Sequence, residues 1–555
     1  MKIIILGAGR IGQAVADSLV LERNDVTVID TDRGRLLELE SRYDLRGVTG
    51  NGTDPAVLAE AGARDTDLLI ACAASDEVNL VCCKVAHMLF QIPVRIARVR
   101  SRAWADEALL TPEGFAVDQC LRPEDSLTRY LARLVEFPQA LQVREFAGGR
   151  AILTAARARA AAPMTSRTIG EIRALMPDLP MRIVAIYRRF ADQPDRFVPA
   201  SGSTRVEPDD EVFLLTTREY AAEVLPLLTK PIEAPSPTVR RIMIVDGGVV
   251  ALKLAQQLHH ARKGYYRIKV VERDRDEAAA LTASLPDDVL LFHAEGTDED
   301  FLQQEGIEEI DLLLALSDDD ETNIMSCLLA KRMGAKRVLA LINQRSYADL
   351  MHGTQIDIAL TPEQAMLGEL MTYVRQGYVQ TVHSLRRGVA EALELVVRGD
   401  RKTSSVVGRK VGDLRLPRDV HMGLIVRGLQ EEAPEHTGQA SAASTVAAAP
   451  AASAIAAAAR EVVDAAGPLL AENAKPTEPA ALPPTQPAAP LTPPQERAIT
   501  VDCPAQPGDS CQGVQIIFPK RETVIETGDH VVFFLPHKRL VREIERTFSV
   551  KPTFF

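Results

Sequence analysis

Three glycines near the start of the chain are spaced to hold a phosphate. Gly7-Ala8-Gly9-Arg10-Ile11-Gly12 follows the apolar run "KIIIL" and opens a stretch whose apolar residues recur at helical spacing. In such a strand-to-helix turn, Gly7 permits the tight bend, Gly9 lets the backbone approach a pyrophosphate, and Gly12 lets the helix pack against the strand. The free amides and the dipole at the helix start attract the anion. Asp30, at the end of "DVTVID" and eighteen residues beyond Gly12, is placed to accept hydrogen bonds from ribose hydroxyls and to repel a 2′-phosphate. The chemistry predicted is therefore binding of NAD(H), or of another adenosine with a free ribose. Arg10 fits either a solvated helix start or a direct phosphate partner.

The carboxyl ends of further parallel strands would converge on the same crevice. Asn51-Gly52-Thr53 ends a third strand, where an adenine edge would lie. Ala74-Ser75-Asp76 follows a fourth, and Arg98 in "VRIARV" ends a fifth, within reach of phosphate. Thr53-Asp54-Pro55 and Ser75-Asp76-Glu77 are also good helix starts, so Asp76, Glu77 and Asn79 fit either capping or ligand contact.

The elements that must position these residues occur twice. Residues 50–86 align with 294–330, and both Gly52 to Gly296 and Asn79 to Asn323 are 244 positions apart. In each copy short β-branched runs alternate with helical periods, five strands being evident in the first, which predicts a parallel sheet with right-handed crossovers. After each copy come short alternating strands and a closing helix such as "REYAAEVLPLL", the grammar of a small α+β domain. The predicted fold is α/β, with two Rossmann-like doubly wound parallel sheets each followed by a small α+β domain. The divisions are 1–122, 138–228, 239–362 and 378–555, the last interrupted at 430–513. That insertion is dense in Ala, Pro, Ser and Thr and is expected to be disordered, because it has too little large apolar surface to offset chain entropy.

In the second copy Asp246 replaces Gly7, Gly248 matches Gly9, Ala251 replaces Gly12, Glu272 stands for Asp30, and Leu341 or Ile342 takes the place of Arg98. A carboxylate about 4 Å from a phosphate costs roughly 4 kcal/mol at an effective dielectric near 20. The second lobe is therefore predicted to be chiefly structural, or to bind a different ligand weakly.

The 64 Lys and Arg against 76 Asp and Glu give a net charge of −12, which argues against nucleic acid as a partner. No run approaches the roughly 18 to 20 apolar residues of a membrane span. Seven cysteines are too scattered for a disulfide framework. Cys82 and Cys83 are expected in a core, and Cys503 and Cys511 leave a reversible bridge conceivable. None of the ten histidines stands out as a proton donor beside a nicotinamide, which disfavours a dehydrogenase. No metal cluster is evident.

The paired lobes, with G-A-G-R-I-G, V-I-D, G-N-G-T-D, S-D-E-V-N and "RGDRKTSSVVGRKVGDLRLP", closely resemble the TrkA family of Trk potassium-uptake regulatory subunits, which are tandems of RCK (KTN and TrkA-C) units. The resemblance covers nearly the whole chain outside the insertion. It implies a cytoplasmic, non-enzymatic protein, peripheral on the inner face of the membrane. It implies binding of NAD+ or NADH, and in related members ATP or ADP, without consumption. It also implies a homo-oligomeric ring of two or four chains beneath a potassium transporter of the TrkH or TrkG type. Carried onto this sequence, the nucleotide residues are Gly7, Gly9, Arg10, Gly12, Asp30, Gly52, Thr53, Ala74, Asp76 and Arg98. A soluble nucleotide sensor without a membrane partner is the alternative binding protein, and an NAD-dependent oxidoreductase the alternative enzyme.

Overall fold

The run Lys2–Leu6 is apolar on both faces, as a strand covered on both sides must be, and it forms the centre of a parallel sheet. A computed structural model describes residues 1–190, 194–231, 234, 238–246, 248–344, 347, 351, 355–375, 379–386, 389–417, 419–429, 499–500 and 513–550. The first sheet contains β1 (Lys2–Leu6), β2 (Asp25–Asp30), β3 (Arg46–Thr49), β4 (Leu68–Ala71), β5 (Val94–Arg98) and β6 (Gln119–Leu121). Their order is β3-β2-β1-β4-β5-β6, all parallel, which is the doubly wound dinucleotide-binding arrangement. Strand β6 is an addition to the five strands legible in the sequence. Its three residues, Gln-Cys-Leu, carry no β-branched signal and pair only with β5.

A small antiparallel sheet follows, with β7 (Gln142–Phe146), β8 (Ala151–Arg157), β9 (Met181–Arg188), β10 (Arg196–Val198) and β11 (Glu211–Thr217) in the order β10-β9-β11-β8-β7. The closing segment "REYAAEVLPLL" is two one-turn helices, Ala221–Val224 and Pro226–Thr229. Pro226 has no N–H to continue the first of them.

The second half repeats the plan. Strands β12 (Arg241–Val245), β13 (Arg267–Glu272), β14 (Leu290–His293), β15 (Leu312–Ala315), β16 (Val338–Leu341) and β17 (Ile358–Leu360) lie in the order β14-β13-β12-β15-β16-β17. The last sheet contains β18 (Val379–Leu385), β19 (Ala390–Val396), β20 (His421–Arg427), β21 (Ile499–Thr500), β22 (Gln515–Ile517) and β23 (His530–Leu535) in the order β18-β19-β23-β20-β22-β21. Most of the expected insertion 430–513, with Cys503 and Cys511, lies outside the described residues, but its boundary needs correction. Ile499 and Thr500 pair with Ile516 and Gln515, so the backbone there has ladder partners and belongs to the sheet.

The halves are crossed. Helix Pro123–Glu136, which leaves the first parallel sheet, does not pack back on it. Its Leu127, Tyr130, Leu131 and Leu134 share a core with Ile242, Ile244, Ala251 and Leu254 of the second lobe. Helix Pro362–Val374 crosses the other way, burying Met366, Leu370 and Met371 with Ile3, Ile5, Val15 and Leu19 of the first. The two helices touch through Ser126 Oγ, which donates to Glu369 Oε2 at 2.8 Å, and Lys253 Nζ holds Asp125 at 2.5 Å. The small sheets then pack on each other through Phe146, Phe213, Leu424, Val532 and Phe534. Arg182 reaches from one to the other, donating to the carbonyls of Met422 at 2.7 Å and Pro519 at 2.6 Å. Each parallel sheet is thus completed by residues from the other half of the chain.

Candidate functional site

The first glycine turn has the backbone its sequence demands. Gly7 takes φ +102°, and its N–H donates to the carbonyl of Ile29 at 2.8 Å. A Cβ on Gly12 would lie 1.8 Å from the carbonyl oxygen of Gly7, so only glycine allows the helix to start this close to the strand. Helix Arg10–Leu21 begins at Gly9 with no side-chain cap. The next three α-helices of the lobe are capped differently: Asp32, Asp54 and Ser75 each accept amide hydrogens at their starts. The orphan donors of the first helix are therefore left for a ligand, and the dipole favours an anion there.

Asp30 stands at the end of β2, where its Oδ2 accepts from Ala8 N–H at 2.5 Å and its Oδ1 from Asp32 N–H at 2.8 Å. The carboxylate thereby ties the turn to the next helix start and remains on the wall of the cleft. Arg10 is exposed and carries no ion pair among the described residues. Arg98 is mostly buried, with one nitrogen 3.5 Å from Glu124 and its Nε without a hydrogen-bond partner.

These residues line a cavity of about 780 Å³, inside the range of small-molecule and cofactor sites. Gly7, Gly9, Arg10, Ile11, Asp30, Asn51, Gly52, Ala74 and Arg98 all border it. Ala8, Gly12, Thr53, Ser75 and Asp76 do not, and the structure gives most of them local work. Ser75 accepts from Val78 N–H as a helix cap. Asp76 Oδ2 accepts from the amides of Arg100 at 3.0 Å and Ser101 at 2.9 Å, fixing the chain after β5. Asn79, fully buried, bonds both backbone groups of Ala73 and the carbonyl of Arg98. Of the two roles open to Asn79, the structure displays the architectural one. Asn323 repeats it with Ser317 and Leu341, which identifies Leu341 as the counterpart of Arg98.

Several cavity residues gave no signal in the sequence. Arg35, Cys72, Glu124 and Leu127 join the first lobe's wall, and the opposite wall is the second lobe's own strand-end crevice. Asp246, Glu272, Arg273, Asp274, Glu277 and Asp318 face the first turn across one shared space. The crossing helices bring both switch points together, a juxtaposition that no local pattern encodes.

The shared cleft is polarised. Its first wall offers the uncapped helix start and Arg10, Arg35 and Arg98 beside Asp30 and Glu124, whereas the charged groups of its second wall are five carboxylates and Arg273. In the second turn Asp246 (+53°) shares the positive φ of Gly7, but Gly248 is at +44° where Gly9 is at −72°, and a fully buried Ala251 stands in the place of Gly12. Burial pushes the Asp246 carboxyl above its ordinary range, against the opposing pull of the backbone N–H and charge of Arg273. Burial does the same to Glu272, reinforced by the neighbouring Asp246 charge. An anion entering the cleft meets donors on one side and like charge on the other.

Nucleophile chemistry is poorly served here. Cys72 is buried, and burial pushes its thiol up to about 12, so it is not a thiolate near neutrality. Cys82 and Cys83 are fully buried in the first lobe's core. Among the described residues no group of three His, Cys, Asp or Glu is placed to hold a metal ion, and no helix is long and apolar enough to cross a membrane.

Comparison with known proteins agrees with the duplicated architecture. The family model for the TrkA-N domain matches residues 3–115 and 242–362, which are the two parallel-sheet lobes. The chain is similar to the Trk system potassium uptake protein TrkA of Halomonas elongata, 37% identical over 556 residues that cover the whole of both chains. It is 42% identical to the protein of the same name from Vibrio alginolyticus over 430 residues, 77% of this chain and 91% of that one. Among solved structures it is similar to the GsuK RCK domain, with a TM-score of 0.51 at 15% identity over 99% of this chain and 94% of that one. It is equally similar to a GsuK channel bound to NAD, with 99% of this chain and 78% of that one covered. With that model matched by both parallel-sheet lobes and relatives 37% and 42% identical over 100% and 77% of its length, the chain belongs to the TrkA family of Trk system potassium uptake proteins.

Proposed function

We propose that the chain is a nucleotide-responsive regulatory subunit that controls a Trk-type potassium transporter and does no chemistry on its ligand. The observation that carries this reading is the uncapped start of helix Arg10–Leu21 beside Asp30 and Arg98, in a cavity shared with the second lobe. NAD(H) is the assigned ligand, with ATP or ADP as competitors for the same adenosine crevice. Gly7, Ala8, Gly9, Arg10, Ile11 and Gly12 form the phosphate turn, and Asp30 takes the ribose. Asn51 and Gly52 flank the adenine and Ala74 and Arg98 frame the far half, while Thr53, Ser75 and Asp76 support those strand ends from outside the cavity. The functional division is 1–122 for binding, 138–228 and 378–555 for the small lobes, and 239–362 for the facing wall. Relatives named for Trk potassium uptake, together with the fold similarity to a channel bound to NAD, support this assignment.

A ligand shifts a conformational equilibrium only through its difference in affinity between the two states. A dinucleotide spanning the cleft touches both lobes, so the angle between them sets how well it fits. Moving a partner from mostly closed to mostly open needs about 5 kcal/mol of such difference, which several sites in a homo-oligomeric ring can share. The partner is a TrkH- or TrkG-type transporter, which would hold this chain on the cytoplasmic face of the membrane. Calorimetry of the full chain with NADH, NAD+, ATP and ADP tests the binding step: NADH should saturate one site per chain, and absence of heat with all four overturns the reading. Co-purification with a potassium transporter from detergent extract tests the partnership.

A further inference from the structure

A second cavity, of about 740 Å³, lies at the opposite edge of the first parallel sheet. Met1 and Asn24, which border it, immediately precede β1 and β2, so it is at the amino ends of strands whose carboxyl ends form the shared cleft. Its remaining walls come from the end of the crossing helix Pro362–Val374, from Leu395 of β19, and from the last described helix, Val541–Phe548, with Lys538 and Arg539 just before it. Three parts of the chain far apart in sequence meet there.

The charge of this cavity is the reverse of the molecule's. Arg23, Arg375, Lys538, Arg539, Arg542 and Arg546 line it against Glu22 and Glu545, in a chain of net charge −12. Arg23, Arg539 and Arg546 carry no ion pair or side-chain hydrogen bond among the described residues. The deepest of the set is Arg375, whose side chain is 2% exposed. Its Nη2 is fixed by Glu22 Oε1 and Glu391 Oε2, both at 2.7 Å, while its Nε and Nη1 have no hydrogen-bond partner. Those two nitrogens are themselves shielded, as is the unpartnered Oε1 of Glu545 on the same cavity, so a small shift of the guanidinium towards the cavity would let an acceptor-rich ligand relieve an unfavourable arrangement. The wall also carries apolar surface, from Leu21, Val374, Leu395 and Phe548, of which Leu21 is 59% exposed. That combination suits a ligand with a charged head and an apolar or ring-shaped body.

We propose that this cavity binds an organic phosphate, with the phosphoryl group on Arg539, Arg546 and Arg375 and the body against Leu21 and Phe548. Occupancy would fasten the end of helix Arg10–Leu21 to the second small lobe, at a distance from the shared cleft and independently of what the cleft holds. The phosphate can be free, as in a mononucleotide, or the headgroup of an anionic lipid, and the test separates these sources.

Hydrogen exchange of the full chain is followed at Val541–Phe548, with pyrophosphate, AMP, phosphatidylglycerol vesicles or phosphatidylcholine vesicles added. Arg539→Ala/Arg546→Ala removes two exposed, unpaired cations and should leave the melting temperature unchanged. In the wild type, exchange at this helix should slow at least threefold with pyrophosphate or AMP if the source is a free phosphate. It should slow with phosphatidylglycerol alone if the source is a headgroup. The double variant should lose the effect, and Arg10→Ala, altered in the other cleft, should retain it. No protection by any of the anionic probes, equal protection by phosphatidylcholine, or protection that survives in the double variant overturns the proposal.

Discussion

Replacing Gly12 with alanine adds one methyl group at the tightest point of the first turn. The new Cβ would sit 1.8 Å from the Gly7 carbonyl oxygen, and that gap must open to about 3 Å before the clash is relieved. The obstacle is backbone on both sides, so no side-chain rotation can absorb the shift. Either the helix start withdraws from the strand or the Gly7 peptide turns away, and both move the free amides that follow Gly9. A hydrogen bond to a charged group contributes about 1.5–3 kcal/mol. Losing two such bonds to a pyrophosphate therefore weakens binding by about 3–6 kcal/mol, upwards of a hundredfold in Kd. Overpacking also lowers folding stability by about 1–3 kcal/mol, which thermal unfolding without ligand would register separately. The assay is an NADH titration of the full Gly12→Ala chain by nicotinamide fluorescence. A Kd within about threefold of wild type, in a protein that unfolds earlier, would refute the reasoning, because it would mean the turn can deform without its amides serving the ligand.

Asp30→Ala removes the carboxylate that accepts from Ala8 and would accept from a ribose, and should weaken NADH binding by about 10- to 100-fold, whereas Glu272→Ala on the facing wall should change it less than twofold; equal losses would reverse the assignment of the lobes. His383 is half-buried with its ring edge-on to Phe146, and desolvation, aided by the Arg144 charge, pushes its pKa down to about 3. Because the unfolded chain takes up this proton near pH 6.5, the contribution to stability falls as pH drops from 6.5 towards 3, by at most about 1.4 kcal/mol per unit. His383→Gln should flatten that slope in denaturant titrations between pH 6.5 and 4.5, and an unchanged slope counts against the neutral imidazole. Leu131→Ala empties a fully buried site on the crossing helix and should cost about 2–5 kcal/mol. Its effect on hydrogen exchange should appear in β12 of the second lobe, and loosening confined to the first lobe would contradict the crossed packing.

Much of the binding turn was legible because it is local. Gly7, Gly9, Gly12 and Asp30 announce a strand, a bend and a helix start by spacing alone, and the repeat at 244 residues carries the same grammar into the second half. What the sequence concealed is tertiary. Leu127 and Met366 lie on amphipathic helices whose periodicity shows that a face is buried but not against which sheet. Hence Arg98 was readable as a cleft residue, while its contact with Glu124 and the acidic wall at Asp246 and Glu272 were not. The alanine-rich β8 is hard to read from sequence because Ala151, Ala155 and Ala156 lack the β-branched signature of a strand. Thr53 and Asp76 illustrate the reverse limit: a polar residue at a strand end looks the same in sequence whether it caps, braces or binds.

The exchange of helices between halves has a consequence for how the chain is made. On the ribosome, residues 1–122 emerge long before the segment holding Met366, Leu370 and Met371, and longer still before Ile544 and Phe548, all of which share one apolar cluster with Ile3 and Ile5. The amino-terminal sheet must wait, one flank bare, until translation is nearly finished. Shortened versions ending near residue 230 would keep that flank open for good, and should be sticky and chaperone-dependent where the intact polypeptide is not.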